Sequence, residues 1–201
     1  VIKFATRIGW GMSLVPVHFT EPTHPLPYRT INYNGLMNFT DVTEEEIKNF
    51  ISELKDMKKD YNLYDSDEYL DDVERFILNK PTNWRSKNDD TCDSPNLYFA
   101  IAPSGIIKAC CDFEIEQKHY IYDDDFPEKY EQKIIHHDIY KVTKGCIGCM
   151  YGSYPEVTIT ARYFSAFLER LKYFNLKTPK LRKFSTQELK DIVIDILNEP
   201  S

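Results

Sequence analysis

The chain has 201 residues, of which 42 % are hydrophobic and 28 % charged, with seven glycines and eleven prolines. This composition is typical of a globular chain and excludes a disordered, collagen-like or low-complexity protein. The net charge of −7 argues against a general nucleic-acid binder, which needs an excess of Lys and Arg to face phosphate. Because no run reaches the roughly 18 apolar residues of a membrane span and the N-terminal residues lack the basic, apolar and small-residue regions of a signal peptide, we expect a soluble cytoplasmic protein with no membrane partner.

The first predicted element is the end of a helix, over residues 1–10, closed by Gly9. An apolar run with β-branched residues follows over 12–19 and predicts a buried strand, although Pro16 suits a central strand poorly. A helix followed by a strand indicates an α/β unit. Residues 20–40 form a long connection rich in Pro, Asn and Thr, and loops of this length are often functional.

Four amphipathic helices are predicted in the rest of the chain. One opens at Thr43 with three acidic residues and keeps its apolar spacing through Met57, and the next runs from Ser66 until Pro81 stops it. A polar linker is expected over 80–91. The last two helices cover 160–174 and the segment that begins at Ser185, and we expect their aromatic and aliphatic stripes to pack into a core rather than to line a cofactor pocket.

All five cysteines, at positions 92, 110, 111, 146 and 149, lie within a 58-residue window. Between Cys92 and Cys110 the sequence predicts two strands joined by a tight Pro103-Ser104-Gly105 turn, and such a hairpin brings its two ends together. Cys146 and Cys149 form a C-x2-C knuckle with two glycines that let the backbone turn tightly. The hairpin pair and the knuckle together supply four thiolates.

Several interpretations of these thiols remain open. Neighbouring strand residues point to opposite faces, so of Cys110 and Cys111 one is expected to be a ligand and the other spare. Disulfides fit poorly with an odd cysteine count and no secretion signal, and buried core cysteines would not explain the knuckle. Four thiolates select a structural zinc or an iron–sulfur cluster, and the 17 residues between Cys92 and Cys110 favour the cluster.

The pattern Cys92-x12-Gly105-x4-Cys110, followed by Cys146-x2-Cys149, resembles the auxiliary-cluster motif of radical S-adenosylmethionine enzymes, in the twitch form of the SPASM domain. The resemblance implies an α/β fold in which the C-terminal end of a partial (β/α)6 barrel is followed by a small β-hairpin iron–sulfur domain and terminal helices. It implies the barrel portion over 1–80, the twitch-like domain over 81–155 and the C-terminal helices over 156–201.

The same resemblance implies that Cys92, Cys110, Cys146 and Cys149 ligate one auxiliary [4Fe–4S] cluster, which supports electron transfer or substrate positioning in an oxidoreductase. The substrate would be a peptide or small molecule, and the electron donor a flavodoxin or ferredoxin. The family binds S-adenosylmethionine through a second [4Fe–4S] cluster held by C-x3-C-x2-C, a motif this sequence lacks. We therefore expect the chain to be the C-terminal half of a longer enzyme and inactive alone. The alternative is a non-catalytic, zinc-stabilised module that binds a protein partner.

The remaining candidate site residues rest on weaker patterns. His18 ends the predicted strand, where a barrel would place it at the mouth of the active site, although a packed or solvent-facing histidine is the commoner case. Tyr28 and Tyr33 lie in the long connection and are candidate substrate contacts. Four basic or titratable residues near the cysteines are candidates for balancing the cluster charge, and each is more often a solvated surface group. These are Lys108, His119, Lys141 and Lys144. The pair His136-His137 beside Asp138 is predicted to lie on the surface.

Overall fold

The computed structural model describes residues 1–16, 42–78, 80, 82–86, 100–110, 115–143, 149–150, 153–174 and 183–199. Several predicted features lie outside these residues: the connection over 20–40, the end of the strand predicted over 12–19, and the side chains of His18, Tyr28, Tyr33, Cys92, Cys111, Lys144 and Cys146. The described residues are mostly helical with one two-stranded antiparallel sheet, and the barrel and the twitch-like domain stay predictions.

The helices of the described part are α1 (Ile2–Arg7), α2 (Glu44–Met57), α3 (Asp67–Ile77), α4 (Asn83–Ser86), α5 (Phe126–Glu131), α6 (Ile134–Thr143), α7 (Ser153–Arg162), α8 (Phe164–Lys172) and α9 (Thr186–Leu197). The strands are β1 (Ala100–Ile101) and β2 (Ile107–Lys108). Within the described residues, no helix is both long enough and apolar enough to cross a membrane.

The N-terminal segment confirms the predicted helix end but not a regular strand after it. Helix α1 is followed by Gly9 at a φ of 82°, a conformation that suits glycine. In the described part, the predicted strand is reduced to one parallel bridge between Met12 and Leu63. The next two residues are bonded instead to a carboxylate, because Ser13 Oγ and the Leu14 N–H both donate to Asp65.

Helices α2 and α3 form where the sequence predicts them. Thr43 caps α2 with a complete capping box, since its side chain accepts from the Glu46 N–H and the Glu46 carboxylate accepts from the Thr43 N–H. Ser66 caps α3 by accepting from the Tyr69 N–H.

The predicted linker over 80–91 contains a short helix, α4. The buried Asp72 carboxylate accepts the N–H groups of Asn83 at 2.5 Å and Trp84 at 2.9 Å, which anchors the start of this helix on α3. Trp84 is fully buried as a result.

A first hydrophobic core lies where α2, α3, α4, α7 and α8 meet. Helix α3 contacts both α2 and α7, so it occupies the centre of this group. The buried members of the first core are Ile51, Leu54, Leu63, Tyr69, Leu70, Val73, Phe76, Trp84, Met150, Ile159 and Ala166.

The predicted hairpin is confirmed, and it carries a second core. Strands β1 and β2 pair antiparallel, with Ala100 opposite Lys108, and Gly105 turns the chain between them at a φ of 80°. A further bridge joins Ile106 to Tyr120. One face of the hairpin packs against α6, and the buried members of the second core are Ile107, Ala109, Ile115, Ile135 and Ile139.

The C-terminal helices differ from the prediction in their packing. The helix expected over 160–174 is divided at Tyr163 into α7 and α8. Helix α8 faces the first core through Tyr163, Ala166 and Arg170, so the stripe predicted to enter a core lies on its outer side. That prediction was wrong for the residues of this exposed stripe: Phe164, Phe167, Leu168, Leu171 and Phe174. Helix α9 buries none of its residues and lies against α1.

Candidate functional site

Cys110 lies just beyond β2, at the end of the hairpin. Burial alternates along this strand: Ile107 and Ala109 are buried in the second core, whereas Ile106, Lys108 and Cys110 are only half-buried. Cys110 lies two residues beyond the end of β2, and from the alternation of side chains along an extended chain we expect it to point away from the second core. The thiol is thus held on a short, turn-closed element rather than inside packed apolar side chains.

Cys149 is also half-buried and is positioned by its neighbour, Met150. Met150 is fully buried in the first core. Its carbonyl accepts a hydrogen bond from the hydroxyl of Tyr69 at 3.1 Å, and the same hydroxyl lies 2.9 Å from the carbonyl of Leu14. Burial raises the pKa of Tyr69 well above its usual range, so the hydroxyl stays a proton donor to these carbonyls. The Cys149 backbone is therefore anchored to α3.

The described residues include two of the four predicted metal ligands. Two half-buried thiols, each next to a fully buried residue, suit metal ligation, because a thiolate site needs both access for the metal and a fixed backbone. No group of three or more His, Cys, Asp or Glu side chains is arranged to hold a metal ion in the part of the chain that the structure describes. The four-cysteine set remains a prediction, with zinc and an iron–sulfur cluster both open.

The residues expected to balance a cluster charge take different positions. Lys108 shares the outer face of the hairpin with Cys110. His119 is buried, and its Nε2 lies 2.9 Å from Asp138 Oδ2. Lys141 donates to the other oxygen of Asp138, also at 2.9 Å. Burial raises the pKa of Asp138, but the bonds from Lys141 and His119 outweigh it and hold that pKa below its ordinary value.

The two histidines next to Asp138 differ in their environments. His136 is half-buried against the ring of Tyr130, with a centroid distance of 5.1 Å, and His137 is exposed. The surface prediction therefore holds for His137 and only in part for His136. Burial, with the nearby Lys133 charge, lowers the pKa of His136.

A buried acidic cluster beside α3, which the sequence did not predict, consists of Asp65, Glu156 and the partner cation Arg170. Asp65 and Glu156 are each only 1 % exposed. Arg170 Nε lies 3.2 Å from Glu156 Oε1 without the alignment of a hydrogen bond, and the N–H and hydroxyl of Ser66 also favour the charged form of Glu156. The attraction between Arg170 and Glu156 is therefore mainly that of opposite charges.

Burial dominates the electrostatics of this acidic cluster. It raises the pKa of Asp65 to about 6, although the bonds from Ser13 and Leu14 favour the charged form. It raises the pKa of Glu156 to about 7, with the Asp65 charge adding to the rise and Arg170 opposing it. A sequence signal did exist, since Glu156 occupies the helical position three residues before the buried Ile159. A carboxylate on the buried face of a helix marks such a cluster.

Comparison with known proteins gives no match to any protein family, curated protein or solved structure.

A pocket of about 310 Å³ opens next to the acidic cluster, between the segment after α2 and the end of α8. Its lining combines apolar, phenolic, acidic and basic side chains: Lys58, Lys59, Leu63, Tyr64, Asp65, Glu169, Lys172 and Tyr173. The volume lies at the lower end of the range for small-molecule sites, about 300–1,000 Å³.

Proposed function

We propose that this chain is the C-terminal, auxiliary-cluster region of a radical S-adenosylmethionine enzyme. In this proposal Cys92, Cys110, Cys146 and Cys149 hold one [4Fe–4S] cluster. The observation that carries it is the position of Cys110, which follows a hairpin closed by Gly105 and is half-buried, unlike its buried neighbour Ala109. The cysteine spacing adds to this, because one hairpin pair and one C-x2-C knuckle supply four thiolates.

The chain's own residues would give this cluster a fixed and electrostatically balanced site. A bound cluster of this type supplies one-electron transfer or a support for substrate. The hairpin fixes Cys110, and the bond from Tyr69 to the Met150 carbonyl fixes the backbone beside Cys149. Lys108, on the same face as Cys110, offsets part of the negative charge of four thiolates. Under this proposal, S-adenosylmethionine and its own cluster belong to residues outside this sequence.

The substrate and redox partner in this proposal are a peptide or small molecule and a flavodoxin or ferredoxin. Both are implied by the resemblance of the cysteine motif, so both depend on the chain binding the cluster. His18, Tyr28 and Tyr33 remain proposed substrate contacts.

Anaerobic reconstitution of the chain with iron and sulfide tests the proposal. We expect about four irons per chain and a broad absorbance near 400 nm. Cys110→Ala should lose the iron, whereas the matched variant Cys111→Ala should keep it. If Cys111→Ala loses the iron and Cys110→Ala retains it, the ligand assignment is wrong. If the wild-type chain takes up no iron, the cluster itself is excluded.

The exposed stripe on α8 favours a second candidate, a zinc-stabilised module that binds a protein partner. Phe164 is 73 % exposed and stacks on Phe167 at 6.2 Å between ring centroids, and exposed apolar patches of this kind often mark protein contacts. In the same reconstitution experiment, this candidate predicts one tightly bound zinc and no visible colour.

A further inference from the structure

We propose that the pocket between the segment after α2 and the end of α8 binds a small aromatic anion that carries a hydrogen-bond donor at its far end. This phenol-walled pocket is defined by Leu63, Tyr64, Asp65, Lys172 and Tyr173, and we take the exposed Lys172 to mark its mouth. The inference does not depend on a metal cluster, because it rests on the described side chains alone.

The walls of the phenol-walled pocket favour a flat ring. The rings of Tyr64 and Tyr173 meet edge to face, 5.6 Å apart at an interplanar angle of 81°. Arg170 covers the ring of Tyr64, with its guanidinium carbon 3.9 Å from the ring centroid, so this ring is held in place. Leu63, which is buried, adds an apolar side chain to the lining. Aromatic rings bind in such walls through edge and face contacts, which a purely aliphatic ligand would not use.

The buried end of the pocket is an acceptor. Asp65 is 1 % exposed, and its two oxygens each accept one hydrogen bond, from Ser13 Oγ at 2.5 Å and from the Leu14 N–H at 2.7 Å. Each carboxylate oxygen has two lone pairs, so both retain the capacity for a second donor. A ligand hydroxyl that reaches this end would bond to a preoriented acceptor.

The mouth of the pocket is basic. Lys58 Nζ forms ion pairs with Asp67, at 2.6 Å, and with Glu169. Lys59 Nζ forms an ion pair with Asp56 at 2.8 Å. Lys172 forms no ion pair with a carboxylate in the described part of the chain. Because the buried Asp65 and the exposed Lys172 both line the pocket, the matching ligand carries its donor and its anion at opposite ends of the ring. A hydroxyphenyl carboxylate has this chemistry.

Titration of the isotope-labelled chain with 4-hydroxyphenylacetate, followed by amide chemical shifts, tests the inference. For a ligand of this size, we expect a dissociation constant on the order of 1 mM, with shifts concentrated at the pocket. Two probes separate the contributions: 4-methylphenylacetate lacks the donor and 4-ethylphenol lacks the anion, and both should bind more weakly. Absence of shifts at the pocket up to about 10 mM would overturn the inference.

Two variants and one control locate the site. Lys172→Gln should weaken binding about twofold to fivefold, as expected for an exposed charge contact, whereas Lys190→Gln on α9 makes the same charge change elsewhere and should leave it unaltered. Gly11→Ala should weaken binding, because an added Cβ would lie 2.2 Å from the Tyr173 hydroxyl and that side chain would have to shift. Equal affinity in all three variants would place the ligand elsewhere. An unchanged melting temperature shows that each variant remains folded.

Discussion

Glu156 shows how much the environment of a single residue can decide. On the printed sequence it is one of 32 acidic residues, yet in the fold it is 1 % exposed, next to Arg170 and near a second buried acid. Removal from water disfavours its charged form more than Arg170 favours it, and its pKa rises to about 7. Near neutral pH this side chain changes its charge without leaving the core.

This shift predicts a pH dependence of stability. Between the ordinary pKa of 4.5 and the raised value of about 7, the folded chain holds a proton on Glu156 that the unfolded chain has lost. The free energy of unfolding therefore decreases as pH rises through this window, by on the order of 3 kcal/mol from Glu156. Asp65 and Asp72, each raised to about 6 by burial, act in the same direction from pH 4 to 6.

Urea denaturation of Glu156→Gln between pH 5 and pH 7.5 checks this. The variant should show a shallower decrease of stability with rising pH than the wild type. Glu53→Gln, which removes an exposed carboxyl of α2, serves as the control and should keep the wild-type slope. The same slope in Glu156→Gln and in the wild type would contradict the assignment. Acids with lowered pKa values, such as Glu44 at about 2, act below this window and do not disturb the comparison.

At the scale of elements, helix starts and the hairpin were predictable because their signals are local. Thr43, Ser66 and Ser185 each cap the helix expected after them, since the side-chain oxygen needs only the N–H three residues on. Packing is not local. The spacing of α8 shows an apolar stripe, but a helix meets the core through the face that its neighbours leave available, and here that face contains Ala166 and Arg170.

The parts of the candidate site also differ in whether local sequence signals predict them. The position of Cys110 after the hairpin follows from the turn residues and the strand pattern, so the sequence predicted it. The phenol-walled pocket and the acidic cluster both require Asp65 to lie near residues of α7 and α8, about a hundred positions away in the sequence. Local sequence patterns do not predict such a long-range contact. The break at Tyr163, which separates α7 from α8, has no proline or glycine beside it that would have predicted it.

Gly105 is the position at which the hairpin depends most on one residue type. Its φ of 80° disfavours any residue with a Cβ, and an added Cβ would lie 2.6 Å from a ring carbon of Tyr122. Gly105→Ala should therefore reduce the free energy of unfolding by about 1–2 kcal/mol and lower the iron retained after reconstitution. Ser104→Ala, an exposed change in the same turn, should stay within about 0.5 kcal/mol. Equal stability of the two variants in urea would show that the turn does not limit the hairpin.

For the molecule as a whole, the effect of metal binding on stability depends on the two hydrophobic cores. Cys149 precedes Met150 of the first core, and Cys110 follows Ala109 of the second. A metal centre that binds both thiolates would join the two cores through covalent bonds to its ligands, and metal binding to such a site contributes directly to folding free energy. Among the described residues, the second core has five buried members and the first has eleven. The smaller second core would therefore gain the larger share of its stability from such a link.

Hydrogen exchange of the loaded and the chelator-treated chain measures this coupling. With the cluster bound, we expect amides of α6, in the second core, to open with the same free energy as those of α3, in the first, because both then exchange through one cooperative unfolding. Removal of the metal should cost α6 a few kcal/mol of protection and α3 much less. Cys110→Ala should show this uncoupled pattern even after reconstitution, since its second core has lost its thiolate. If protection of α6 is the same with and without metal, Cys110 is not a ligand and the two cores are stable independently.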